Sequence, residues 1–208
     1  MKDFPTKLAK VTTTLISGEY GEKCNESLNV LSQKGFEVHL GISEEFTDQL
    51  IEMAKEDAIK EYCPNDSETR FTNLETINKW LKKEKAVFLL VENNGDELNL
   101  AGYGWVGKEK NNQVDKGDVT FALRVGTSYQ GKGLATPFSS VVIYGSNAIY
   151  GAQNIWLATW SSNAGAVHVY KKIGFEIVSA TSSKRKTLNG NEVEDTRLLM
   201  TIPNSKLQ

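Results

Sequence analysis

Tyr129-Gln130-Gly131-Lys132-Gly133-Leu134-Ala135 stands between a stretch of strand character, Val119 to Val125, and a long apolar-periodic segment, Leu134 to Tyr150, whose spacing predicts a helix. Glycines let the backbone turn tightly and bring N–H groups up to a ligand without a Cβ in the way. The first helical turn adds N–H groups that lack intrahelical partners, together with the positive end of the helix dipole. Strand, glycine loop and helix therefore predict an anion site suited to a pyrophosphate. Pro137 falls in the first turn, where its missing N–H costs little. Two other phosphate loops are disfavoured by the residues themselves. A P-loop needs Ser or Thr directly after Gly-Lys, and Lys132 is followed by Gly133 and Leu134. A dinucleotide fingerprint needs a third glycine where Thr136 stands, and an acidic residue about 20 positions on, where the chain reads Tyr150-Gly151-Ala152-Gln153. Taken alone, the loop is also compatible with an ordinary glycine turn capping a helix.

Outward from the loop, the order of elements predicts a mixed sheet. Upstream, Phe36–Leu40 alternates as a strand. Phe46, Leu50, Ile51, Ala54 and Ala58 then form a helical stripe that Pro64 ends. Thr72-Asn73-Leu74-Glu75 reads as a capping box opening a second helix with Leu74, Ile77 and Leu81 on one face. Val87–Glu92 and Leu98–Val106 read as strands joined at Asn93-Asn94-Gly95-Asp96, a turn that favours antiparallel neighbours. Lys108–Gly117 is polar and reads as a connection. Downstream come a strand (Ile155–Thr159), a helix (Ala164–Ile173), a strand (Phe175–Ser179) and a closing hairpin whose turn is Leu188-Asn189-Gly190-Asn191. Its last strand runs from about Asp195 to Ile202. The first 35 residues are least legible: Lys10–Ile16 has the β-branched content of a strand, and the segment is treated as an extension of a domain spanning 36–208. An α/β mixed sheet with an antiparallel N-terminal part and flanking helices follows.

Composition narrows the class of function. The chain has 208 residues, 39% hydrophobic and 24% charged, with a formal net charge of −2, so it offers one sizeable core and no basic field for nucleic acid or an anionic membrane. The longest apolar run, Ala86–Val91, is far short of the roughly 20 residues of a membrane helix. No signal peptide is read at the N-terminus, and a cytoplasmic protein is expected. The two cysteines, Cys24 and Cys63, have neither metal-ligand spacing nor an activating neighbour, so no metal site and no nucleophilic cysteine is predicted.

The spacing Gln130-x-x-Gly133-x-Ala135 resembles the acetyl-CoA pyrophosphate loop of the GNAT superfamily, the CoA-dependent N-acyltransferases. The stretch from Asn163 to Phe175 is similar to that family's Asn-x-x-Ala-x-x-x-Tyr-x-x-x-Gly-Phe segment, and the closing hairpin to its last strands. The likeness covers roughly 36–202. It implies a GNAT-like fold with a central, mostly antiparallel sheet splayed at the acetyl-CoA site, acetyl-CoA as acyl donor, and no metal. It implies that the main chain of Leu123, Arg124 and Val125 holds the pantetheine arm, side-chain identity mattering little. Gln130, Gly131, Lys132, Gly133, Leu134 and Ala135 would hold the pyrophosphate. Asn163, the natural N-cap of its helix, would also touch the CoA arm. Tyr170 shares a helical face with Ala166 and Ile173. A core tyrosine is one reading; by resemblance its hydroxyl protonates the departing thiolate.

The resemblance leaves the base open. Many relatives carry a glutamate where Thr120 stands; Asp118 on the same strand face, a water chain, or a residue such as Glu92 are the alternatives. The early helices are acid-rich, which suits a cationic acceptor or a plain solvated face. Trp105, Trp156 and Trp160 read as pocket walls or core. His39 and His168 are isolated, and Lys184-Arg185-Lys186 reads as an exposed hairpin rim. The expected function is acetyl transfer to a primary amine, either a small cationic amine or a peptide amine, in a ternary complex, with a homodimer left open. The alternatives are a CoA-binding regulatory module without turnover and a purely structural domain.

Overall fold

The computed structural model describes residues 9–10, 19–95, 97–115, 117–151 and 153–207. In chain order they form β1 (Ala9–Lys10), α1 (Glu19–Ser32), β2 (Phe36–Leu40), α2 (Glu44–Ala54), α3 (Asp57–Lys60), a π-helical turn (Asp66–Arg70), α4 (Leu74–Leu81), β3 (Lys85–Asn93), β4 (Leu98–Asn111), β5 (Gly117–Val125), α5 (Ala135–Tyr150), β6 (Ile155–Trp160), α6 (Ala164–Lys172), β7 (Glu176–Lys186) and β8 (Glu192–Ile202). The strand expected over Lys10–Ile16 lies, apart from Lys10, outside the described residues. No described helix is long and apolar enough to cross a membrane.

The strands make one sheet in the order β1-β2-β3-β4-β5-β6-β8-β7. Neighbours are antiparallel except β5 and β6, which run parallel. That parallel pair is held only at Val119↔Ile155 and Thr120↔Trp156, although β5 continues to Val125 and β6 to Trp160. Beyond Thr120 the two strands part, and the sheet opens.

Side-chain alternation along the strands gives the sheet two faces. Phe121, Leu123, Ile155, Leu157 and Met200 point to the face covered by α5 and α6 and share a core with Phe138, Val141 and Tyr170. α1 lies along α5 and adds Cys24 and Leu31 to that same core. The other face carries Val87, Leu89, Tyr103, Trp105 and Ala122 against Phe46, Leu50, Phe71 and Trp80 of the α2–α4 region. Phe71, Trp80, Tyr103 and Trp105 stack edge-to-face in series, a geometry that the ring quadrupoles favour.

Several local expectations are corrected. The first helical stripe breaks after Ala54, and Met53 and Ile59 are buried while Ala58 is exposed. The capping box sits one residue later than expected. Asn73 accepts from the Thr76 N–H (2.9 Å), and the Thr76 hydroxyl accepts from the Asn73 N–H (3.1 Å), because a threonine hydroxyl at N3 closes the box as well as a glutamate. Leu74 is consequently 45% exposed, and Ile77 and Trp80 carry the buried face. β4 runs on to Asn111 through residues read as a connection, and β7 extends to Lys186, well beyond Ser179. Both extensions are largely polar and, Arg185 apart, mostly solvent-facing, so hydrogen bonding to an adjacent strand, not an apolar pattern, keeps them extended.

Candidate functional site

Between β5 and α5 the chain turns through Gly131 (φ 75°) and Gly133 (φ 72°), left-handed conformations that glycine adopts at no steric cost. The N–H groups of Gly131, Lys132, Gly133 and Leu134 donate to no other described residue. Four neighbouring main-chain donors, exposed except at the buried Leu134 and set at a helix N-terminus, are a site for an anion. The loop is anchored on both sides. Leu134 is buried in the core, the Gln130 side-chain amide donates to the Val125 carbonyl at 3.1 Å, and the Tyr129 hydroxyl donates to Glu92 at 2.9 Å. Lys132 turns its ammonium over the Tyr129 ring (4.7 Å). Lys34, just beyond α1, donates to the Lys132 carbonyl at 3.2 Å. Sequence reasoning missed Lys34 because it arrives from 98 residues away.

The loop opens into a cleft of about 920 Å³ in the gap between β5 and β6. Of the predicted positions, Leu123 to Val125, Gln130, Gly131, Gly133 to Ala135, Asn163 and Tyr170 all line this cleft; Lys132 does not. Asn163 caps α6, its side chain accepting the Ala166 N–H at 3.3 Å. Tyr170 is 6% exposed, packed against Phe121 and Phe175 with ring centroids 6.0 Å away in each case. Burial pushes its phenol up to about 12, against a smaller opposing pull from Arg124. It is therefore a protonated hydroxyl throughout the neutral range.

On the opposite sheet face the cleft is lined by Trp105, Trp156 and Trp160 and by three arginines, Arg70, Arg124 and Arg197. Beside the main-chain contact expected of it, Arg124 has a structural side-chain role that the sequence did not suggest. Its Nε donates to Asp66 (3.0 Å) and its Nη1 to the Leu123 carbonyl (2.7 Å). Asp66 is fully buried and also accepts from Arg70 (2.7 Å) and Tyr103 (2.9 Å). This network ties the π-helical turn to β4 and β5. Cys63 lines the same wall, its thiol pushed up chiefly by burial, which leaves it protonated and poorly nucleophilic.

The candidates for a base separate. Thr120 lines the cleft, whereas Asp118 lines a second, more open hollow beside Lys108 and Lys110. Glu92 is held by Tyr129 and Asn94 outside the cleft lining. Glu109 is the one carboxylate among the described lining residues, paired with Lys85 at 3.2 Å. His168 is exposed and lines the cleft, while His39 is buried beside Glu37. Among the described residues no three His, Cys, Asp or Glu side chains gather as metal ligands do. The acidic side chains of α2 and α3 do not line the cleft, nor do those flanking α3: Glu56 accepts from Thr127 (2.7 Å from its N–H) and Glu61 from Arg185. Arg185 itself is no exposed rim. It is 11% exposed, pairs with Glu61 and Asp195, and lies 5.0 Å over the Tyr62 ring.

Comparison with known proteins bears on this geometry. Residues 42–176 match a family model described as an acetyltransferase (GNAT) domain. No curated protein matches the sequence. Among solved structures, a spermidine N-acetyltransferase from Vibrio cholerae in complex with CoA and spermine superposes with a TM-score of 0.68 at 19% identity, covering 84% of this chain and 98% of that one. A GCN5-related N-acetyltransferase from Kribbella flavida gives 0.61 at 12% identity, covering 82% and 99%. A GNAT-family acetyltransferase from Streptococcus pneumoniae gives 0.56 at 16%, covering 79% and 99%. At these identities the likeness is one of fold.

Proposed function

The chain belongs to the acetyltransferase (GNAT) domain family, and from that premise we propose that it transfers an acetyl group from acetyl-CoA to a primary amine by direct attack within a ternary complex. One observation carries this reading: the run of unpartnered N–H groups from Gly131 to Leu134 opens directly onto the gap where β5 and β6 part. A pyrophosphate bound at those N–H groups, with Lys34 and Lys132 adding positive charge, places an extended arm along Leu123–Val125. There the edge of β5 has lost its strand neighbour. The Leu123 and Val125 carbonyls accept from the Arg124 and Gln130 side chains instead, and amides of the arm pair with the main-chain groups that remain or take the place of those side chains. The thioester supplies an activated acyl carbon and a thiolate leaving group.

The protein's part is positioning and proton transfer. The Tyr170 hydroxyl, protonated at neutral pH, stands at the cleft wall to donate to the departing sulfur. A phenol near 12 is a weaker acid than a thiol near 8.5, so its proton moves as the carbon–sulfur bond breaks and not before. The acceptor ammonium must lose a proton to become nucleophilic. Glu109 takes that role in this reading, since Thr120 has no basic group. The missing strand glutamate also favours a second reading, a CoA-binding regulatory module without turnover.

Both are separated by incubating the protein with acetyl-CoA and a panel of amines and peptides while thiol release and melting temperature are followed. At 100 times its Kd, acetyl-CoA should raise the melting temperature by roughly 5–10 °C, and thiol should appear with an acceptor amine present. Stabilisation without turnover across the panel would assign the regulatory role. No stabilisation would remove both.

A further inference from the structure

The charges lining the acceptor side of the cleft do not balance. Arg70 and Arg124 share one carboxylate, Asp66, and Lys85 is matched by Glu109. Arg197 pairs with no carboxylate among the described residues, and its guanidinium lies 4.8 Å over the Trp160 ring. Two positive charges are thus left without counter-charge. The nearby carboxylates of Glu61 and Asp195 are turned to Arg185, to Ser161 and Ser162, and to the N–H groups of Leu188 and Thr196. They leave Arg197 unserved. Burial, assisted by the like charge of Arg124, pulls the guanidinium of Arg197 below its ordinary value, as expected for a half-buried cation without an anion. The indole N–H of Trp105, in the same wall, is buried and donates to none of the described residues. Buried donors of this kind are normally satisfied, so this wall is short of acceptors as well as of negative charge.

Resting on the acetyl-transfer reading, we propose that the acceptor is an amine bearing a carboxylate close to its amino group, with Arg197 as the residue that holds the carboxylate. The planar guanidinium fork matches a carboxylate in two parallel hydrogen bonds. Arg197 and Tyr170 line the same cleft, so a carboxylate held by Arg197 and an amine reacting beside Tyr170 belong to one small acceptor. Trp156 offers an aromatic wall to an apolar body. A polyamine would bring further positive charge against two unmatched arginines, which is unfavourable in a partly desolvated cleft.

The test uses L-phenylalanine and L-leucine against their decarboxylated counterparts, phenethylamine and isopentylamine, with spermidine as the polyamine. Rates are compared after correction for the free-amine fraction. The amino acids should show kcat/KM at least tenfold above the matching amines and above spermidine. Arg197→Met should cost phenylalanine roughly 10–100-fold relative to phenethylamine, mainly in KM, and Arg197→Lys should recover part of that loss. Preference for spermidine or for the decarboxylated amines would overturn the proposal. So would an equal fall in kcat for every amine in Arg197→Met, which would put the guanidinium at the leaving sulfur. If no amine is acetylated, the acetyl-transfer reading fails separately, and the carboxylate site is read from melting temperature with CoA present. A rise with phenylalanine, absent with phenethylamine and lost in Arg197→Met, upholds the site. No rise with phenylalanine sinks it.

Discussion

At the scale of single residues, Tyr170 has a chemistry set by what surrounds its ring. Phe121 and Phe175 exclude water on the core side and keep the phenol neutral. Replacing it with phenylalanine keeps the ring packing and removes the hydroxyl that donates the proton. Tyr170→Phe should lower kcat about 100-fold or more while leaving the stabilisation by acetyl-CoA close to that of the unmodified protein; equal turnover in the variant would remove the acid role. The pH dependence has a definite sign. The acid form is lost only as pH approaches about 12, so kcat should show no alkaline decline below roughly pH 10. A fall centred near 8 or 9 would point to a different acid. Asn163 as a helix cap and Tyr170 on the buried helical face could be read from sequence because both features are local, a cap three residues from its donor and a face repeated every three or four residues. Their parts in binding and catalysis came only through family likeness. The side-chain role of Arg124 could not be read at all. Its partner Asp66 lies 58 residues away in sequence, on a turn whose π-helical form nothing in the residue pattern announces.

At the scale of elements, the glycine loop was legible because positive-φ turns and helix starts leave compositional marks. The opening of β5 from β6 was reached only through family likeness, since both strands alternate normally and the loss of pairing beyond Thr120 and Trp156 is a matter of register between distant segments. The loop allows its own test. An added Cβ at Gly131 would meet no atom within 4 Å, so Gly131→Ala costs the protein only the left-handed backbone penalty of about 1–2 kcal/mol. A pyrophosphate drawn up to the surrounding N–H groups loses more, because the loop must hold its left-handed turn to present them. Titration calorimetry should show acetyl-CoA Kd raised at least tenfold in Gly131→Ala, with chemical denaturation showing a loss of no more than about 2 kcal/mol. Unchanged affinity would mean that the loop does not grip the donor.

At the scale of the whole molecule, the sheet differs between its faces: one carries the glycine loop, α5 and α6, the other the arginines and tryptophans that line the cleft and are proposed to meet the acceptor. The order of elements foretold a mixed sheet with flanking helices, but not that the β7–β8 hairpin would be fastened to the α3 side of the cleft. That fastening is Arg185, which donates from Nε to Asp195 at 2.8 Å and from Nη1 to Glu61. Burial opposes ionisation of Asp195, but hydrogen bonds from Ser162, Arg185, Ser161 and the Thr196 N–H outweigh it and hold the carboxyl well below the usual range. Glu61 is held down by its hydrogen bonds from Arg185 and the Leu188 N–H. Both native values lie below the unfolded ones of about 3.9 and 4.3. Their contribution to stability is therefore complete above roughly pH 5 and is lost as pH falls toward the native values. Calorimetric melting from pH 7 to pH 3 should show the temperature falling below pH 5. Arg185→Met should melt lower at pH 7, where it leaves two carboxylates without their cation, and its curve should be shallower, the gap to the unmodified protein starting to narrow below pH 5 and continuing to narrow as pH falls toward the native values. Parallel curves would show that the hairpin is held by β7–β8 pairing alone and that the ion triad is incidental to the closed side of the cleft.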